Sequence, residues 1–281
     1  MGILPYAAGR YRIGQLCFCK TFDVFKSSAI FVNIMTVQTN SAISVDCVIF
    51  GFDGANLKVL LVRRKSSDPL YHDEEFKLPG AMILENESLP EAAARVLEAT
   101  TGLRGLYLNQ TSIFSDPYRV TGDELKWICE YHGVHTERVV TVGYYSLVKL
   151  DRGMMAYTMR NGAVWKNIDQ INHLIMDHYS ILSDALTYLQ KDILLSPSAF
   201  HLLPKKFTIR QLQNLLEAVL GIEIDNRNFR KKLFSSGILV ETEEFEQHVS
   251  HKPAKLYKLS KGAFSKKAIG KGFQFVAAWL L

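Results

Sequence analysis

The first sustained pattern along the chain begins at Ser44, where "SVDCVIFGF" runs into "LKVLLVRR" across the turn-like Asp53-Gly54-Ala55-Asn56. Both runs are rich in Val, Ile, Leu and Phe, which predicts two strands joined as a hairpin. After a polar stretch, Ser88 with Glu91 three positions on forms a capping-box signature, and Gly102 supplies a helix stop. Between them Leu89, Ala93, Val96, Leu97 and Thr100 recur at helical spacing. Downstream, "LYLNQTSIF" and "RVVTVGYYSLVKL" predict strands around a polar loop, and "HYSILSDALTYLQKDIL" predicts an amphipathic helix. Residues 41–195 therefore read as one mixed α/β domain.

The pattern changes after "LSPSAFHLLPKKF", a segment with two prolines and no clear period that marks a boundary. Thr208 stands where it would cap a helix bearing Ile209, Leu212, Leu215, Leu216 and Val219 on one face and ending at Gly221. Asp225 stands before a second helix, anchored by Phe229 and Leu233 and ending at Gly237. "ILV" and "AKLYKLS" then predict two short strands. Helix, turn, helix and β-hairpin over residues 198–275 is the plan of a winged helix-turn-helix. Residues 1–40 carry little periodicity and are expected to be an extension outside both domains, either poorly ordered or not native. Met35, just ahead of the first clean strand, is an alternative start of translation.

Composition adds that the chain resembles ordinary soluble proteins, with 48% hydrophobic and 22% charged residues. Four scattered cysteines and the lack of a secretory or membrane-spanning pattern point to a reduced, cytoplasmic protein. The net charge of +5 matters for where it sits. "NRNFRKK", Asn226 to Lys232, holds four basic residues and no acid, on the second of the two paired helices. With Phe229 and Leu233 facing inward, Asn226, Arg227, Asn228, Arg230 and Lys231 lie outward at the helix start, where a recognition helix meets the major groove. Thr208 and Arg210 on the preceding helix, and His251 and Lys252 at the wing tip, complete the expected contact set with double-stranded DNA. The acidic "ETEEFE" must point away from phosphate. Cys129, His132 and His135 offer three ligands and no obvious fourth, so no metal site is expected.

The stretch "PGAMILENESLPEAAARVLEATTGL", residues 79–103, resembles a Nudix box. Gly80 and Ala81 fall on its paired glycines, Glu87 on the loop acid, Arg95 on the arginine, and Gly102-Leu103 on its end. The three helix acids that hold Mg²⁺ in active members fall on Val96, Ala99 and Thr100, and Glu98 lies on a different side of the helix. "MDHYSILSDA" is similar to a segment near the end of Nudix domains acting on ADP-ribose. The segment "LLPKKFTIRQLQNLLEAVLGIEIDNRNFRKKL", followed by "KPAKLYKL", resembles the DNA-binding domain of Nudix-related transcriptional regulators, the NAD-biosynthesis repressors and arabinose-responsive regulators. The wing departs from that family, with His251-Lys252-Pro253-Ala254 in place of its Gly-Arg-Pro-Ala.

The resemblance implies an α+β protein: a Nudix-type α/β/α sandwich followed by a C-terminal winged helix-turn-helix. It further implies a catalytically inactive Nudix domain, with no cofactor, that senses a sugar such as arabinose or an ADP-ribose-like nucleotide. The winged helix of a homodimer would then bind a palindromic operator. Arg64, Glu87, Arg95, Arg138 and Tyr144 are the candidate effector-binding residues, while Trp165 and Asp177-His178 are expected to pack and cap. The alternative is an active hydrolase of ADP-ribose or a sugar nucleotide with unusual metal ligands.

Overall fold

Strand β1 (Thr39–Phe52) organises the first domain, because its side chains must be buried on both faces. Val45, Cys47 and Ile49 enter one core, and Val48, Phe50 and Phe52 enter another, the period of two expected of a strand covered on each side. In the computed structural model, which describes residues 39–64, 75–195, 200, 202–247, 249–250 and 252–260, β1 lies at the centre of a mixed sheet. The expected extension lies outside the described residues except for Thr39 and Asn40, which already belong to β1. His251 and the chain after Ser260 lie outside them too.

The sheet runs β3-β2-β1-β6-β5, with β2 spanning Leu57–Arg63, β3 Phe76–Lys77, β5 Asn109–Phe114 and β6 Val140–Lys149. The expected hairpin is there, β1 and β2 pairing Phe50 with Val59 around the Asp53–Asn56 turn. The parallel β1–β6 ladder runs in continuous register from Ile43↔Val140 to Phe52↔Lys149. The first half of β1 also pairs with β4 (Gly80–Leu84), the strand that opens the box-like segment. Helix α1 (Leu89–Thr101) covers one face with its capping box, Ser88 and Glu91, and its left-handed stop at Gly102 as expected. Its buried residues are Ala92, Ala93, Val96, Leu97 and Thr101, so Thr101 takes the inward place expected of Thr100.

The polar loop expected between the strands holds a helix, α2 (Gly122–His132), and two further elements were not legible in the sequence: α3 (Arg152–Arg160) and β7 (Ala163–Asn167), which pairs with β2. Trp165 of β7 packs as expected, its ring so close to Gly51 that a Cβ there would lie 2.7 Å from it. The other face of the sheet is covered by α4 (His178–Leu195), giving helix, sheet and helix layers.

The second domain begins with α5 (Ile209–Leu220), capped by Thr208 with Gln211 and stopped by Gly221. Asp225 caps α6 (Asn226–Ser235) by accepting from the Asn228 N–H. Strands β8 (Leu239–Phe245) and β9 (Lys255–Leu259) form the wing, and an exchange of backbone hydrogen bonds between Phe207 and Tyr257 ties it to the start of α5. One hydrophobic core runs through both domains: Phe50 and Tyr145 from the sheet, Ile181, Leu189 and Ile193 from α4, Leu212 and Leu215 from α5, Phe229 and Tyr257 beyond. Asn214 Nδ2 donates to Gly54 O at 3.1 Å and Gln190 Nε2 to Val219 O at 3.0 Å, adding two polar ties between the domains. Because the core is shared, calorimetry should record a single unfolding transition. Phe229→Ala, which empties a fully buried site, should cost about 3–5 kcal/mol and shift that whole transition. Two separable transitions, with only one moved, would contradict the shared core.

Candidate functional site

On the α4 side of the sheet, a cleft opens where β1, β4 and the start of α4 meet α2. Ser44 and Asp46 of β1 and Thr141 of β6 form its floor, and the two β1 residues share the face that carries Val48 and Phe50 further along. Lys77, Gly80, Ala81 and Met82 form one side, with Arg119, Trp127, His132 and His178 around the rest. Gly80 is obligatory here, since a Cβ at this position would lie 1.6 Å from the Asp46 carboxylate.

Buried polar groups in this cleft are densely interlocked. The Lys77 ammonium donates to Gly80 O at 2.9 Å and Leu78 O at 3.3 Å. His178 Nδ1 accepts the Leu78 N–H at 2.9 Å, which leaves Nε2 carrying the proton that faces Asp46 Oδ1 at 3.8 Å. Arg119 grips Asp177 with both nitrogens, at 2.7 and 2.6 Å, and also donates to Thr141 Oγ1 at 2.8 Å. Thr141 in turn lies 2.6 Å from the Ser44 hydroxyl. Burial pushes the Asp46 carboxyl up and the Lys77 ammonium down, and the charge of each opposes the other's shift. Burial, helped by the Lys77 charge, also holds His178 down at about 3 and His132 at about 4.

None of the five residues expected to bind an effector lines this cleft. Tyr144 falls on the opposite face of β6, in the core beneath α1, because neighbouring strand residues alternate sides. Glu87 and Arg95 engage each other: Arg95 Nε donates to Glu87 Oε2 at 2.8 Å, while Glu87 Oε1 accepts the Leu84 N–H at 2.7 Å. The Arg95 bond holds the Glu87 carboxyl below its usual range, and together the pair braces the loop before α1. Arg64 pairs with Glu75 at 3.0 Å and sits 4.6 Å from the ring of Trp127, a cleft residue. Arg138 is exposed and donates to Ser115 O at 2.6 Å. Asp177-His178 stand at the head of α4, as expected, with the Asp177 carbonyl starting its hydrogen-bond ladder, but both side chains also face the cleft groups. The residues that sequence reasoning missed, Asp46, Lys77 and Arg119, had one available signal. Asp46 is a lone acid inside a hydrophobic strand, and such a residue requires a partner.

A hard cation would find a poor site on α1. Of the positions assigned to metal carboxylates, Val96 is buried in the core, Ala99 is exposed, and the Thr100 hydroxyl donates to Val96 O at 2.7 Å. The nearby acids are spoken for, Glu87 by Arg95, Glu98 by Arg104 at 2.7 Å and Glu91 by Ser88 at 2.8 Å. Several unengaged oxygens are what such an ion needs, and this helix does not offer them.

The second domain presents a different chemistry. Asn226, Arg227, Asn228, Arg230 and Lys231 are all exposed on α6, while Phe229 and Leu233 anchor it inward. Thr208 is buried and spends its hydroxyl on capping α5, whereas Arg210 is exposed beside the groove between the domains. Lys252 is exposed on the wing. The acids of β8 are largely absorbed: Glu241 pairs with Lys255 at 2.5 Å, Glu244 pairs with Lys206, and the adjoining Glu246 accepts the Ala254 N–H.

A helix–sheet–helix sandwich with a braced loop before α1 and a winged helix with a cationic second helix define a sensor-like domain joined to a nucleic-acid-binding one. Comparisons with known proteins agree. Residues 40–149 match the model of the Nudix domain, and residues 199–259 match that of the NrtR DNA-binding winged helix domain. The chain belongs to the Nudix-related transcriptional regulators that combine these two domains. Among curated proteins it is similar to the ADPR responsive transcriptional repressor NtrR of Acinetobacter baylyi, with 26% identity over 222 residues, 77% of this chain and 81% of that protein. Among solved structures it is similar to Shewanella oneidensis NrtR complexed with a 27mer DNA, at 26% identity and a TM-score of 0.56, covering 79% of this chain and 95% of that one. A MutT/nudix family protein from Enterococcus faecalis shares the fold at 21% identity and a TM-score of 0.54, over 79% of this chain and 87% of that one.

The two cleft histidines, His178 buried and His132 half-buried, give a pH signature. Each is held neutral in the folded chain well below the value of 6.5 that it starts from. Below pH 6.5 or so, therefore, the unfolded state binds more protons and stability falls with pH. Denaturant midpoints should drop steadily from pH 7 to pH 4.5, and His178→Asn, which keeps an acceptor for Leu78 N–H, should make the slope shallower by about one proton. An unchanged slope in the variant would refute a neutral, buried His178.

Proposed function

We propose that the chain is a DNA-binding transcriptional regulator whose Nudix domain senses ADP-ribose or a close nucleotide relative, with α6 as its recognition helix. On this reading residues 41–195 are the sensing domain and residues 198–275 the DNA-binding domain of a cytoplasmic homodimer acting on a two-fold operator. The observation that carries it is the cationic face of α6: Arg227, Arg230 and Lys231 point outward, and most of the wing acids that would repel phosphate are engaged elsewhere. Asn226 and Asn228 extend that face. Arginine forks read guanine edges, and asparagine amides suit adenine. Arg210 and Lys252 are assigned to the DNA backbone, while Thr208 contributes by holding the start of α5.

For the sensing domain, the cleft around Lys77, Arg119 and Trp127 is a better effector site than the residues the sequence first suggested. Its cations suit a diphosphate, a group that a neutral pentose lacks. The similarity to an ADPR responsive repressor supports the same choice. The cleft's volume is only about 40 Å³, against ~300 Å³ or more for sites that enclose ligands of this size. Binding on this account opens the cleft, and α2, bracketed by the left-handed Gly122 and Gly133, is the wall that moves. The domain is not an enzyme, because α1 offers a metal none of the three carboxylates such chemistry uses.

A gel-shift titration with the DNA upstream of the chain's own gene tests the reading. The wild type should give a specific, salt-sensitive shift, and Arg227→Ala and Arg230→Ala should each weaken it by about 1–3 kcal/mol. No shift at any salt concentration would defeat the regulator assignment. Steady hydrolysis of ADP-ribose with Mg²⁺, lost in Glu87→Ala, would make the chain a hydrolase instead.

A further inference from the structure

The Arg119–Asp177 pair couples the cleft to the second domain. Arg119 is almost wholly buried, and its guanidinium donates to two targets, Asp177 and the strand end at Val139 and Thr141. Asp177 immediately precedes α4, and its carbonyl accepts the Ser180 and Ile181 N–H groups that begin the helix. The 18 residues of α4 span about 27 Å. Its far half meets α5, where Gln190 donates to Val219 O. Ile181, Leu182, Ala185, Leu189 and Ile193 lie along one stripe of α4 inside the core shared by both domains. A displacement at the head of α4 therefore cannot be absorbed locally, since close-packed stripes move as units. α2 joins the same point, because Glu124 accepts the N–H of Met176, whose φ of 53° is the one left-handed non-glycine backbone among the described residues.

A phosphate presents the same paired oxygens to a guanidinium as a carboxylate does. Arg119 cannot hold both in the same fork, because its Nε and Nη2 are already committed to Asp177. We propose that the Arg119–Asp177 pair is the effector switch: a phosphate of the effector takes Arg119 from Asp177 and so releases the head of α4, which carries the change to α5 and α6. The proposal rests on the reading of the cleft as the effector site. Once the fork is lost, the head of α4 is no longer fixed to the strand end through Arg119, and that lost restraint lets the helix take a second position. Linkage then requires that anything weakening the pair favour effector binding and mimic its effect on DNA.

Asp177→Asn keeps the shape of the side chain and removes its charge. With full-length protein and the same upstream DNA, the variant without ligand should shift its operator affinity by about fivefold or more, in the direction that saturating ADP-ribose shifts the wild type. Its affinity for ADP-ribose, by calorimetry, should rise by a similar factor. In the wild type, ADP-ribose should also speed hydrogen exchange at the first-turn amides of α4, Ser180 and Ile181, a readout that does not depend on the variant folding. If ADP-ribose moves the wild type but Asp177→Asn binds operator and ligand as the wild type does, or those amides stay protected, the switch is wrong while the effector reading stands. If Asp177→Asn moves operator binding and ADP-ribose moves nothing, the coupling through α4 stands and the effector reading falls.

Discussion

Helix α4 has to satisfy two neighbours at once, and the rest of the structure follows from that constraint. Its apolar stripe closes the sheet of the first domain and simultaneously meets α5, so neither domain completes its core alone. Independent domains usually share few contacts across their boundary. Here the crossing is a continuous hydrophobic cluster reinforced by the Asn214–Gly54 and Gln190–Val219 bonds. The proposed coupling of ligand to DNA therefore needs no separate device beyond a way to move α4.

The head of α4 lies where charge is hardest to bury. Asp46, Lys77, Arg119, Asp177 and His178 all sit within or against one cleft, paired so that each charge has an opposite or a set of dipoles nearby. Such a network is stable only while complete, and exchanging one partner for a ligand group reorganises the remainder. Charge placed this way makes little contribution to folding that apolar residues could not match. It does suit a site whose partners must change with occupancy.

Much of the fold was legible because its signals are local. Ser88 with Glu91, Thr208 with Gln211 and Asp225 mark helix starts by backbone hydrogen bonding, and Gly102 and Gly221 mark stops by their left-handed conformation. The outward face of α6 followed from two inward anchors, Phe229 and Leu233, and the period of the helix. What stayed hidden depends on distant pairing. Helix α2 has a weak apolar pattern, burying only Trp127 and Ile128 among its residues, and so read as a loop. Tyr144 and Asp46 sit on opposite faces of the sheet, a distinction set by which ladder each strand joins. Arg119 and Asp177 are 58 positions apart, and nothing in their local sequence announces the pair. Glu87 and Arg95 were both singled out from the sequence, and the structure pairs them with each other, with Glu87 also accepting the Leu84 N–H and Arg95 donating to Met82 O.

The proposed regulator binds ADP-ribose and operator DNA with free energies coupled through α4. A closed thermodynamic cycle tests this most directly. Operator affinity would be measured by fluorescence anisotropy with and without saturating ADP-ribose, and ADP-ribose affinity by calorimetry with and without operator. The two ratios are expected to be equal and to differ from one by about fivefold or more. Tight binding of both ligands with ratios of one would contradict the coupling, because two sites that share a core but not an energy are not a sensor and its output.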